Sequence, residues 1–171
     1  ANEIWEQTNG KIDGFICSVG TGGTLSGVSK FLRENKSDIQ IGIADPKGAA
    51  MYNFFQNNKV EPSAGNSISE GIGLGRVTPI IEEIEKVDYC YSIEDIDALH
   101  YIYKLVKNEG VILGGSSAIN IAGAVNLAKD IGKGKTIVTI LCDHGSRYQS
   151  KIYNQKFLKE KKLPVPDWLK N

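Results

Sequence analysis

Hydrophobic positions along the chain follow two rhythms. Compact apolar runs occur at residues 13–19 (DGFICSV), 39–44 (IQIGIA), 87–91 (VDYCY) and 135–142 (KTIVTILC), and runs of that length predict buried strands. Between them the spacing changes to a helical period. In residues 24–34 (TLSGVSKFLRE), Leu25, Val28, Phe31 and Leu32 share one apolar face. Residues 48–57, 78–85, 92–108 and 116–131 also read as helices. Pro79 suits a first helical position, and Ser92 followed by Asp95 resembles a capping box. Residues 2–9 read as a helix stopped by Gly10, and a short helix is expected near 150–160. The tail LPVPDWLKN is expected to pack extended.

Strands alternating with helices predict an α/β domain with a largely parallel sheet and helices on both faces. Residues 58–78 break the alternation with a long Gly-, Ser- and Asn-rich loop containing SEGIGLGR. Loops of this length are usually functional or mobile. Residues 109–115 (EGVILGG) carry a short apolar segment into a glycine pair before the helix that begins at Ser116.

Composition narrows the classes of function. A chain of 171 residues, 41% apolar and 23% charged, can form one globular domain with a substantial core. Twenty basic residues balance twenty acidic ones, so nothing points to nucleic acid or an anionic membrane as partner. No apolar run approaches the roughly 20 residues that span a bilayer, and the start has no signal-peptide pattern. Cys17, Cys90 and Cys142 fit neither a disulfide framework nor a zinc spacing. Reduced, buried thiols in a cytoplasmic protein are expected, with no metal site. The chain begins Ala-Asn-Glu and its only methionine is Met51. We therefore expect a piece of a longer chain, with an incomplete catalytic inventory.

The candidate chemistry lies in FICSVGTGGTLSG, residues 15–27. A strand, a glycine-rich turn and a helix start in that order make an anion site. Glycines permit positive φ and close backbone approach, while the first helical amides have no intrahelical partner. The hydroxyls of Thr21 and Thr24 add donors. A phosphate cradle is therefore favoured over a plain tight turn. The Rossmann fingerprint G-x-G-x-x-G would need glycine at Leu25. GKGKT at 132–136 ends like a Walker A loop, but Lys129 stands at the first glycine position and the segment precedes a strand. It reads as a turn with exposed lysines.

Four blocks, SVGTGGTLSG, SEGIGLG, EGVILGGSSA and LCDHGSRYQSK, occur in this order. Together they resemble the C-terminal half of cysteine synthase (O-acetylserine sulfhydrylase), in the fold type II group of pyridoxal-phosphate enzymes. The resemblance covers essentially all 171 residues. It implies residues 1–171 as the C-terminal part of such an enzyme's large cofactor domain. It implies pyridoxal 5'-phosphate as cofactor, bound by Gly20, Thr21, Gly22, Gly23 and Thr24 at its phosphate and by Ser116 at the pyridine nitrogen. A hydroxyl there makes the ring a weaker electron sink than an aspartate would, which suits β-elimination and replacement. The residues alone leave Ser116 equally readable as a helix N-cap with Ser117. Glu70, Gly71 and Gly73 are implied at the pocket edge, against a solvated surface loop as the plain reading. Asp143, after the last strand, is a further substrate-pocket candidate. His144 reads as a turn histidine rather than a base.

Relatives carry the Schiff-base lysine and the substrate-carboxylate loop in an N-terminal half that these residues do not include. No lysine here sits in such a setting, and Lys151 reads as a surface residue. Ala118 replaces the glycine that relatives usually have after the serine pair. The resemblance implies a homodimer acting on a small amino-acid substrate, with serine acetyltransferase as a protein partner. The alternatives are a related β-synthase or dehydratase such as cystathionine β-synthase, or a non-catalytic module that binds a phosphorylated metabolite.

Overall fold

The computed structural model describes residues 1–170. The four apolar runs form strands β1 (Gly14–Cys17), β2 (Gln40–Pro46), β3 (Tyr89–Ile93) and β4 (Ile137–Thr139) of one sheet, in the order β3-β2-β1-β4. Every pairing is parallel, with Ile16 opposite Gly42 on one side and Thr139 on the other. Parallel neighbours need crossover connections. The helices that accompany them are α1 (Asn2–Gln7), α2 (Gly23–Asn35), α3 (Met51–Asn57), α4 (Pro79–Glu82), α5 (Asp95–Glu109), α6 (Gly115–Ile131) and α7 (Gln155–Glu160).

Alternation along the strands divides the core between two faces. Phe15, Cys17, Ile41 and Ile43 pack with Leu25, Val28 and Leu32 of α2 and Met51 of α3. Ile16 and Ala44 pack instead with Leu99 and Ile102 of α5 and Ile119, Ala122 and Leu127 of α6. The expected α/β architecture, with helices on both faces, is therefore present. Each such aliphatic side chain contributes roughly 1.5–3 kcal/mol by leaving water. Helix α6 lies especially close to the sheet. A Cβ on Gly123 would stand 2.5 Å from the Cβ of Ala44, so only glycine permits this approach.

Several local expectations are corrected. Ser92 lies inside β3, opposite Asp45, and Glu94 occupies the N-cap of α5 without a side-chain cap bond. Asp95 instead accepts hydrogen bonds from the Ser67 hydroxyl at 2.5 Å and the Ile68 N–H at 2.9 Å, pinning the long loop. Helix α6 is capped by Gly114, so Ser116 is not its N-cap. The run 135–142 keeps only Ile137–Thr139 as strand. The tail ends in a 3-10 turn, Asp167–Leu169, whose Trp168 packs edge-on to Tyr103 at 5.7 Å. Only Cys17 is a buried thiol; Cys90 is half-buried and Cys142 exposed. Among the described residues no helix is long and apolar enough to cross a membrane.

Candidate functional site

The carboxyl ends of β1 and β4 and the amino ends of α2 and α6 converge on one cavity of about 400 Å³. In open α/β sheets the strand-to-helix turns at this edge form the ligand crevice. Gly20, Thr21, Gly22, Gly23 and Thr24 line it, as do Ser116, Glu70, Gly71 and Asp143. Four sequence blocks, the first and last more than a hundred residues apart, thus meet at one opening. Gly73 lies just outside the lining, where its N–H donates to the Val19 carbonyl at 3.0 Å and fastens the 58–78 loop beside β1.

The glycine loop is braced from behind. Gly22 is the N-cap of α2 with φ +97°, a conformation that L side chains rarely adopt. A Cβ there would stand 2.6 Å from Ile81 Cγ1 on α4. The Thr78 hydroxyl, which also caps α4, donates to the Thr21 carbonyl at 2.7 Å. The loop's amides are left free on the other side. No main-chain N–H from Gly20 to Thr24 has an acceptor among the described residues. Free amides at the start of a 13-residue helix favour an anion through direct hydrogen bonds and the helix dipole.

Ser116 enters from the other wall. It is 6% exposed, and its hydroxyl has no hydrogen-bond partner among the described residues. Its neighbour Ser117 is engaged, accepting from the Cys142 N–H at 2.8 Å. The charged lining residues are both acids, Glu70 and Asp143. Glu70 forms an ion pair with Lys151 instead of standing free, and Lys151 is half-buried. Asp143 accepts from the Tyr148 hydroxyl at 2.7 Å and from Arg147 at 3.1 Å. Burial, reinforced by that carboxylate, pushes the Tyr148 phenol up to about 12, so it remains a donor. Burial likewise pushes the Cys17 thiol up to about 12, which leaves it protonated and unreactive. His144 caps the 3-10 turn Gly145–Tyr148 through Nδ1 and is exposed, as a turn histidine should be.

Sequence reasoning missed Asn120, which also lines the cavity at 1% exposure. The available signal was a polar residue on the sheet-facing side of an otherwise apolar helix, one turn after Ser116. It also missed the wall formed by Cys142, whose Sγ lies 3.9 Å from Asn120 Nδ2.

Neutral donors from the glycine loop, the Ser116 hydroxyl and two acids thus share one cavity at the carboxyl edge of a parallel α/β sheet. The "Pyridoxal-phosphate dependent enzyme" family model matches residues 1–143, and the chain belongs to that family. Cysteine synthase 1 of Neurospora crassa is 38% identical over 172 residues, covering 98% of this chain and 46% of the relative. The cysteine synthase of Dictyostelium discoideum is 40% identical over 181 residues, with the same coverage of 98% and 46%. An O-acetylserine dependent cystathionine beta-synthase from Helicobacter pylori superposes with a TM-score of 0.76 at 29% identity, covering 88% of this chain and 46% of that structure. The chain thus spans about half the length of these relatives.

The donor set fits the family's cofactor. Five unpaired amides and two threonine hydroxyls suit a phosphate ester, and the partnerless Ser116 hydroxyl suits a heteroaromatic nitrogen. Among the described residues no lysine lines the cavity.

Proposed function

We propose that this chain is the C-terminal part of a pyridoxal-phosphate-dependent cysteine synthase. The intact protein would convert O-acetylserine and sulfide to cysteine and acetate by β-replacement. The observation that carries this reading is the shared cavity of the Gly20–Thr24 amides and the Ser116 hydroxyl. Similarity to cysteine synthases along 98% of the chain supports it.

When bound, pyridoxal phosphate supplies an electron-withdrawing ring that stabilises negative charge at the amino acid's α-carbon. The roles of this chain are binding and orientation. Gly20, Thr21, Gly22, Gly23 and Thr24 would hold the phosphate, and each charge-assisted hydrogen bond would contribute roughly 1.5–3 kcal/mol. Ser116 would meet the ring nitrogen as a neutral hydrogen-bond partner. Glu70 and Gly71 would border the substrate side, while Asp143, held by Tyr148 and Arg147, sets the polarity of the rim. Proton transfer at the substrate's α-carbon falls to a lysine outside these 171 residues. This piece alone should therefore show no turnover.

The same reading takes the intact protein as a cytoplasmic homodimer with serine acetyltransferase as partner. Light scattering and pull-down with that enzyme test both associations. A second reading, a cystathionine β-synthase using O-acetylserine, is supported by the Helicobacter pylori neighbour's likeness. Assaying the full-length protein with O-acetylserine, serine and O-phosphoserine, each with sulfide or homocysteine, separates them. Cysteine formed fastest from O-acetylserine and sulfide supports the proposal; thioether formation with homocysteine as the dominant product overturns it in favour of the second reading.

A further inference from the structure

Beyond Thr139 the β1–β4 ladder stops, although the apolar run continues to Cys142. Side chains of α6 take over from the strand. Asn120 Oδ1 accepts from the Ser18 N–H at 2.6 Å, and Asn120 Nδ2 donates to the Ile140 carbonyl at 2.7 Å. Ser18 is the first residue after β1 and leads into the glycine loop; Ile140 is the first after β4. One buried amide therefore occupies the place of the next rung between the two strands. Ser117, accepting from the Cys142 N–H, secures the following residues of the same segment.

Ser116 and Asn120 are four residues apart on α6, so they lie on one face, one turn from each other. Asn120 consequently ties the helix that carries Ser116 to the strand end that feeds the glycine loop. We propose that Asn120 is a positioning residue that sets the separation between the Gly20–Thr24 amides and the Ser116 hydroxyl, and so selects for a ligand that bridges both. This inference rests on the reading above, in which the loop takes a phosphate and Ser116 the ligand's far end.

The side-chain chemistry is demanding. One donor and one acceptor must sit on the same planar group, at this reach from α6. Leucine has similar size but leaves both the Ser18 N–H and the Ile140 carbonyl unpaired. Aspartate keeps the first bond and loses the second, placing a carboxylate against a carbonyl oxygen. A residue that merely stabilised the domain would affect all ligands alike. A residue that sets a distance affects a two-ended ligand more than a one-ended one, because misregister costs only the former its second contact.

The test uses the full-length protein with pyridoxine 5'-phosphate, which lacks the aldehyde and so reports non-covalent binding, and with inorganic phosphate as the one-ended probe. Asn120→Leu should weaken pyridoxine phosphate about tenfold and inorganic phosphate less than about threefold. Ser116→Ala should weaken pyridoxine phosphate by a similar factor in the wild-type background and by less than about threefold beside Asn120→Leu, since the two residues act as one unit. Asn120→Asp, which keeps the Ser18 bond, should fall between and serves if Asn120→Leu does not fold. Equal losses for the two ligands, or independent effects of the two substitutions, overturn the proposal. Wild-type protein that binds neither probe overturns the phosphate-site reading itself, and this inference with it.

Discussion

The Thr78 hydroxyl donates a 2.7 Å hydrogen bond to the carbonyl oxygen of Thr21. It joins two segments 57 residues apart, the N-cap of α4 and the crest of the glycine loop. Turning that carbonyl backwards leaves the neighbouring amides facing the cavity. On the phosphate-site proposal, affinity should therefore depend on α4, although no α4 residue lines the cavity.

Two substitutions test that brace. Thr78→Val removes the bond and a helix cap and should cost about 1–2 kcal/mol in chemical denaturation. Gly22→Val forces a branched side chain into φ +97° and against Ile81. It should cost about 2–4 kcal/mol and reduce phosphate affinity in the full-length protein by about tenfold or more. Unchanged affinity in Gly22→Val would remove the loop from the phosphate site.

Ser116→Ala separates binding from folding. The hydroxyl has no protein partner among the described residues, so its loss leaves nothing unpaired. Thermal unfolding without ligand should move by less than about 0.5 kcal/mol, since alanine is also the better helix former. Binding of the pyridoxal cofactor, followed by its absorbance band, should weaken and shift. A large loss of stability with no spectral change would make Ser116 a structural residue.

Asp45 predicts an unusual pH dependence. It is 1% exposed at the end of β2, with Oδ2 accepting from the Tyr52 N–H at 2.8 Å and Oδ1 unpartnered. Burial, only partly offset by the nearby main-chain N–H groups of Tyr52 and Met51, raises its pKa from 3.8 to about 6. A raised pKa means that the folded state holds the proton more tightly than the unfolded state. The associated stability is fully present below about pH 4 and is lost as pH rises through about 6, a loss of about 3 kcal/mol by pH 7–8. Asp45→Asn should therefore gain relative to wild type as pH rises from 4 to 8. A wild-type minus variant difference that stays flat over this range would contradict the assignment.

Lys151 and Glu70 form an ion pair in which Glu70 remains largely exposed. Exposed pairs contribute little to global stability, so Lys151→Met should leave denaturation within about 0.5 kcal/mol of wild type. Locally the effect should be larger. The loop is fastened by Asp95 at Ser67 and Ile68 and by Val19 at Gly73, and between those points Glu70 reaches Lys151. Hydrogen exchange at residues 69–72 should accelerate in Lys151→Met, with little change in β1 or β2.

Legibility differed with the range of the interaction. The glycine loop was readable because its pattern is local: a strand, a turn with three glycines and a helix start occupy thirteen consecutive residues. The apolar face of α2 was readable because period alone fixes it. Ser92 was misread because its three-residue spacing to Asp95 mimics a capping box, whereas pairing with Asp45 extends β3 through it. Strand pairing outweighed the local signal and released Asp95 to hold Ser67 and Ile68. KTIVTILC was read too long because the side chains that end the ladder, Ser117 and Asn120, lie on another element.

The amino-acid order by itself determined the alternation of strands and helices, the glycine-rich turn at 20–24 and the likeness to pyridoxal-phosphate enzymes, since each depends on neighbouring residues and their periodicity. Only the tertiary structure decided the strand order β3-β2-β1-β4, the braced back of the glycine loop, the partnerless hydroxyl of Ser116 and the rung supplied by Asn120. These features depend on segments more than a hundred residues apart being brought together. Burial selects among such contacts, because a polar group removed from water must find its partner wherever the packed helices and sheet have placed one.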